Sequence, residues 1–231
     1  MNKGIKRALQ ILLLVYIIIC TAVYFLQEKL IFFPNKLPAK YNFSFNQPFE
    51  EITVKTNDDV NLKGLLFKTE APKGVILYLH GNAGSLKTWS DVAPLYTNLY
   101  YEVLIMDYRG FGKSEGDIQN QEQLYNDVQL FYNLLLKRYP ENNIIVLGYS
   151  IGTGPAAWLA SENHPRMLIL QAPYYNLTDL MQQMYPLLPA IILKYPFPTN
   201  EYLLKCKMPV VIFHGDKDEV IYYGSSVRLS K

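Results

Sequence analysis

The stretch Ile144-Ile145-Val146-Leu147-Gly148-Tyr149-Ser150-Ile151-Gly152-Thr153-Gly154 constrains this chain more than any other. Its apolar opening has the composition of a short strand buried on both faces. A Gly-x-Ser-x-Gly turn follows, and then a helical stretch from Pro155 to Glu162. A strand-to-helix reversal this sharp crowds the backbone, and only residues without Cβ tolerate the close approach at Gly148 and Gly152. Ser150 is thereby presented at the carboxyl end of a strand. The helix N-terminus beneath it offers unpaired N–H groups and a partial positive charge, suited to an anion forming beside the serine.

The rest of the chain supplies the sheet that such a turn needs. Val75–Leu79, Val103–Met106, Ile144–Leu147, Met167–Leu170 and Val210–Phe213 are near-continuous apolar runs, as expected of parallel strands covered on both sides. Candidate helices at Leu86–Tyr100, Gln121–Tyr139 and Pro155–Glu162 lie between them. Strand and helix alternating at this spacing predict a doubly wound, mostly parallel α/β sheet. Glu51–Thr56 alternates in strand fashion, Asn57-Asp58-Asp59 has turn chemistry, and Asn61–Phe67 returns, so the domain opens on an antiparallel pair.

The N-terminus reads differently. Lys3, Lys6 and Arg7 precede a stretch from Ala8 to Leu26 whose one strongly polar member is Gln10. At 1.5 Å per residue it spans roughly 28 Å, enough to cross a bilayer. No small-x-small site follows it, so an uncleaved signal anchor is favoured over a removed signal peptide. The basic flank places residues 1–7 in the cytoplasm and the main domain on the far side of the membrane. Residues 27–48 then read as a connector that wraps onto the domain, because Leu30, Ile31, Phe32 and Phe33 are too apolar for a solvated tether. The domain proper is expected to occupy residues 49–231, with 174–205 as a small apolar cap.

Half of the residues are apolar and 18% are charged, with a formal net charge of +2, so a large core is possible and no basic stripe points to nucleic acid. Cys20 and Cys206 fall in the expected membrane segment and the domain, which excludes a disulfide framework, and no Cys/His spacing suits zinc. Gly112-Lys113-Ser114 lacks the upstream glycine of a phosphate loop.

Chemistry is expected at three strand ends. His80-Gly81-Asn82-Ala83-Gly84 follows the first parallel strand. A glycine-bearing loop there can aim the N–H of Asn82 across the crevice toward Ser150, to act with the N–H of Ile151 as an oxyanion hole. His80 itself reads as structural. Asp107-Tyr108-Arg109-Gly110-Phe111-Gly112-Lys113-Ser114-Glu115-Gly116 follows the second, with Asp107 and Arg109 read as scaffold paired with one another. His214-Gly215-Asp216-Lys217-Asp218-Glu219 follows the last, and Asp218 is preferred over Asp216 as an acid that orients a histidine.

These four motifs, in this order from about Gln27 to Ile221, resemble the α/β-hydrolase superfamily, and more narrowly its membrane-anchored Bem46-like serine hydrolases. The resemblance implies an α/β-hydrolase fold with Ser150 as nucleophile, Asp218 as triad acid, and Ile151 and Asn82 N–H groups at the oxyanion. It implies hydrolysis of carboxylic esters or acyl thioesters without metal or cofactor. The family's histidine follows the acid after a further helix and strand, whereas 13 residues follow Asp218 and none is histidine. His80, His164 and His214 do not sit where that base belongs. The chain therefore reads as a shortened hydrolase lacking the last strand and helix, with one sheet edge uncovered. Without its base Ser150 is a weak nucleophile, so little or no turnover is expected. The competing expectation is a non-catalytic, membrane-tethered binding protein on the same scaffold. Expected partners are the lipid membrane and an acyl ester, acyl thioester or lipidated substrate. Asn42 and Asn176 open glycosylation sequons, relevant where that machinery exists.

Overall fold

A computed structural model describes residues 2–231 of the chain. Its first element, α1 (Lys3–Ile31), is capped by the Asn2 side chain, which accepts a hydrogen bond from the Gly4 N–H. The helix takes in most of the expected cytoplasmic tail and the first five residues of the expected connector. Nothing in Gln27–Ile31 breaks it; the stop comes where Pro34 forces the preceding residue out of helical geometry. A window of α1 has a mean hydropathy of 2.5, and the helix is long and apolar enough to cross a membrane.

Past α1 come β1 (Phe33–Pro34), β2 (Phe49–Lys55), β3 (Asn61–Phe67), β4 (Gly74–Leu79) and β5 (Ala83–Gly84). The expected helix over Leu86–Tyr100 is instead α2 (Leu86–Trp89), a 3-10 turn and α3 (Ala93–Thr97). Pro94 explains the break: lacking an N–H, it is tolerated in the first turn of a new helix but not inside a continuous one. The remaining elements are β6 (Tyr101–Met106), α4 (Gln121–Leu136), β7 (Ile144–Tyr149), α5 (Thr153–Glu162) and β8 (Met167–Gln171). They continue with α6 (Leu177–Met184), α7 (Thr199–Leu203), β9 (Val210–Phe213) and α8 (Gly224–Leu229).

Seven strands form one sheet in the order β2-β3-β6-β4-β7-β8-β9, antiparallel in the first two pairings and parallel thereafter. Alternate residues of its strands serve two cores. Leu77 and Val146 pack with Val128 and Phe131 of α4 and Ala156 and Leu159 of α5. Ile76, Tyr78, Ile145 and Leu147 pack on the opposite side with Leu86 and Ala93. Because both faces are covered, the central strands are apolar throughout, which is why they were conspicuous in the sequence.

Register decides what meets at the carboxyl edge. Leu79 pairs with Gly148, Tyr149 with Gln171, and Gln171 with Phe213. Ser150, Ala172 and His214 therefore leave the sheet at one level, with His80 one residue earlier, opposite Tyr149, on four neighbouring strands. The two-residue strands β1 and β5 pair in parallel outside the main sheet, tying the chain that follows α1 to the loop after β4.

Candidate active site

Ser150 adopts φ +52°, left-handed backbone that a non-glycine residue enters only when its surroundings hold it there. What holds it is steric. A Cβ on Gly148 would lie 2.5 Å from the carbonyl oxygen of Gly152, and one on Gly152 would collide with the carbonyl oxygens of Leu79 and His80. The turn is pinned from below, since both the N–H and the Oγ1 of Thr153 donate to the Ser150 carbonyl, the latter at 2.6 Å. Tyr174, buried at the base of the cap-like segment, donates its hydroxyl to the Ile151 carbonyl at 3.1 Å. Among the described residues neither Ser150 Oγ nor the N–H of Ile151 has a hydrogen-bond partner.

The loop after β4 is held from three sides. The Asn82 side-chain amide donates to the Ile31 carbonyl at the end of α1, and the Asn82 carbonyl accepts from the Phe33 N–H. Trp89 Nε1 donates to the Ala83 carbonyl at 2.7 Å, and the Tyr108 hydroxyl to the His80 carbonyl at 2.9 Å. The backbone N–H of Asn82 is left without a partner among the described residues. Sequence reasoning did not anticipate Trp89, whose ring stacks on His80 and packs against Tyr149, the residue before Ser150.

His80 is a structural residue, as expected from its place at the start of the loop. It is fully buried, with Nε2 3.4 Å from Asp107 Oδ1. Burial raises the Asp107 carboxyl above its usual range, opposed by the adjacent His80 and by the Leu86 N–H bonded to Oδ1. The expected pairing of Asp107 with Arg109 is not formed. Asp107 turns toward α2, while Arg109 turns toward α4, where it donates to Asp127 through Nε and Nη2 and to Asp58 through Nη1 and Nη2. A polar cleft of about 560 Å³ lies beside this cluster, lined by Asp58, Glu122 and Asp127 among others, and does not include Ser150.

Asp218 lies on the loop after β9, two strands from Ser150, which at the usual strand spacing is roughly 10 Å sideways. One carboxylate oxygen accepts from the N–H groups of Val220 and Ile221, both at 2.9 Å. The other is 3.5 Å from His214 Nε2. That histidine is engaged at both nitrogens. Nε2 donates to the Ile221 carbonyl at 2.8 Å, which leaves Nδ1 to accept from Ser226 Oγ at 2.6 Å. His164 follows α5, next to Arg166, whose N–H bonds the Ile144 carbonyl at the opposite end of β7. The structure thus brings Ser150, Ile151 and Asn82 to adjoining loops and puts Asp218 on the same edge, with no histidine bonded to Ser150. Among the described residues no group of three or more His, Cys, Asp or Glu converges as a metal cage.

A sharp serine turn between a parallel strand and a helix, in a sheet of this order, defines an α/β hydrolase. The chain belongs to the hydrolase family described as serine aminopeptidase, S33, whose model matches residues 70–204. Protein bem46 of Schizosaccharomyces pombe is 29% identical over 212 residues, covering 84% of this chain and 71% of that protein. The human alpha/beta hydrolase domain-containing protein 17B is 33% identical over 161 residues, 68% of this chain and 54% of that one. Among solved structures, an esterase of Pyrococcus furiosus superposes with a TM-score of 0.69 at 20% identity, covering 87% of this chain and 82% of the other. At that identity the superposition speaks for the fold alone.

Proposed function

We propose that this chain is a membrane-anchored serine hydrolase of carboxylic ester or acyl thioester bonds, with Ser150 as its nucleophile. The observation that carries the reading is Ser150 itself: φ +52°, an unbonded Oγ, and the unpaired N–H groups of Ile151 and Asn82 on adjoining loops. Ser150 Oγ would attack the substrate carbonyl carbon and give up its proton to a base. The N–H groups of Ile151 and Asn82 would stabilise the oxyanion. Collapse of the tetrahedral species would release the alcohol or thiol, which takes up that proton, and water would then cleave the acyl-serine. Asp218 would orient and stabilise a protonated histidine.

None of His80, His164 and His214 bonds Ser150, and the two at the carboxyl edge are held in structural roles. We therefore expect the 231-residue chain to turn over slowly or not at all, since losing the triad histidine removes about six orders of magnitude of kcat. The engagement of both histidines is also what favours the second reading, a non-catalytic, membrane-tethered binding protein. In either case α1 would be the anchor, with Lys3, Lys6 and Arg7 keeping its N-terminus cytoplasmic and the domain outside.

A fluorophosphonate probe, with and without added imidazole, separates these readings. The hydrolase reading expects weak labelling that imidazole stimulates and Ser150→Ala abolishes. Labelling unchanged in Ser150→Ala would sink the nucleophile assignment. Strong labelling without imidazole would show that another group activates the serine. No labelling under either condition, with retained affinity for acyl ligands, would leave the binding protein.

A further inference from the structure

The residues Met184-Tyr185-Pro186-Leu187-Leu188-Pro189-Ala190-Ile191-Ile192-Leu193 carry no charge and run from the last residue of α6 toward α7. Leu187 and Ile191 are 82% and 89% exposed, and Met184 and Tyr185 are also more than half exposed. A contiguous apolar surface of this kind on a folded protein marks something that covers it. Its place against α1 identifies the cover.

The segment runs alongside the helix. Tyr16 donates its hydroxyl to the Leu187 carbonyl at 2.8 Å. Further along, Gln27 Nε2 donates to the Ile192 carbonyl at 3.1 Å and Gln27 Oε1 accepts from the Lys194 N–H at 2.8 Å. Lys194 and Tyr195 then both bond Glu28 Oε1 at 3.0 Å. From Tyr16 to Glu28 the helix rises roughly 18 Å. Tyr16 sits near the middle of the apolar stretch Ala8–Leu26, and helical side chains lean toward the N-terminus. If α1 crosses a bilayer along that stretch, Leu187 is drawn below the surface, while the Lys194–Glu28 ion pair stays at the polar boundary.

Much of the segment's backbone is satisfied, as an apolar medium favours, although the N–H groups of Leu187, Ala190 and Ile191 have no partner among the described residues. Pro186 and Pro189 have no N–H to satisfy. The N–H groups of Tyr185, Leu188, Ile192 and Leu193 are bonded locally, and the carbonyls of Leu187 and Ile192 are taken by side chains of α1.

We propose that Met184–Leu193, irregular apart from the end of α6 and a 3-10 turn at Ala190–Ile192, is a second membrane element, immersed beside α1 in the lipid leaflet nearest the domain, with Leu187 and Ile191 in contact with acyl chains. This rests on the reading of α1 as a membrane anchor.

The test places an environment-sensitive fluorophore at single cysteines in the full chain, with Cys20 and Cys206 replaced by serine, in phosphatidylcholine–phosphatidylglycerol vesicles. The positions are Leu187→Cys, Ile191→Cys, Leu13→Cys on the anchor and Leu95→Cys on the domain, each more than half exposed, so that packing is undisturbed. The expected result is blue-shifted emission at 187, 191 and 13, quenched severalfold more by nitroxide-bearing lipid than by aqueous iodide, with the reverse at 95. Iodide quenching at 187 and 191 while 13 remains in lipid would overturn the proposal and leave the anchor standing. Aqueous behaviour at 13 as well would remove the anchor and the proposal together. Protection of 187 and 191 from both quenchers would overturn it in favour of a contact with a second protein copy.

Discussion

At the scale of single residues, the turn at Ser150 is built by exclusion. The Cβ that Gly152→Ala adds would meet two carbonyl oxygens of the strand-end backbone, which cannot rotate away as a flexible side chain can. Overpacking of this kind costs on the order of 3 kcal/mol, and relief requires the serine to leave its left-handed conformation. We expect Gly152→Ala to lower the urea midpoint clearly and to abolish any Ser150 labelling; an unchanged midpoint would mean that the turn is looser than its contacts imply. Arg109 presents a different residue-scale case. It is buried between two carboxylates, and its hydrogen bonds, with one from the Thr56 hydroxyl, hold the more exposed Asp58 well below the usual carboxylate range. A carboxyl whose folded pKa is lowered contributes stability above its unfolded value, about 3.9, and loses it as pH falls toward the folded one. The stability difference between the wild type and Asp58→Asn should therefore be present at pH 6 and shrink below about pH 4. Urea unfolding at pH 6 and pH 3 checks this, and a constant difference would rule it out.

At the scale of elements, α1 is part of the domain's architecture as well as a candidate anchor. Its C-terminal end is bonded by Asn82, from the loop that flanks Ser150, and its last turns are bonded by the segment before α7. Gln27 is the buried link, accepting from the Lys194 N–H and donating to the Tyr24 and Ile192 carbonyls. Truncation to alanine leaves a donor and an acceptor without partners, each costing about 1–3 kcal/mol if water cannot reach it. Gln27→Ala should accelerate hydrogen exchange at the Lys194 amide by tenfold or more while leaving the β4 and β7 amides unchanged. Equal exchange at Lys194 would show that the segment does not depend on the helix. The coupling also means that the loop after β4 and the apolar segment share one support, so disturbance of α1 would reach both.

At the scale of the whole molecule, the sheet was legible because its strands are buried on both faces. Val75–Leu79 and Ile144–Leu147 advertise themselves as apolar runs, and Gly148 and Gly152 report a local crowding that any reader of the turn can infer. The antiparallel opening was equally local, written in alternation and in Asn57-Asp58-Asp59. Less visible were features that depend on partners distant in sequence. Asp107 and Arg109 are two residues apart, yet each found a partner elsewhere, in His80 for one and in Asp58 and Asp127 for the other. The break at Pro94 was within reach of sequence reasoning and was overridden by the apolar pattern of Leu86–Tyr100.

The sequence by itself determined the class of fold and the serine at its centre, because hydrophobic period and glycine sterics act over a few residues and leave a local trace. Only the tertiary structure decided which groups surround that serine. It packed Trp89 against Tyr149, engaged His214 with Ser226 and Ile221, and laid Met184–Leu193 along α1. Those outcomes follow from strand register and from hydrogen bonds between residues up to 171 positions apart, and no local pattern encodes them.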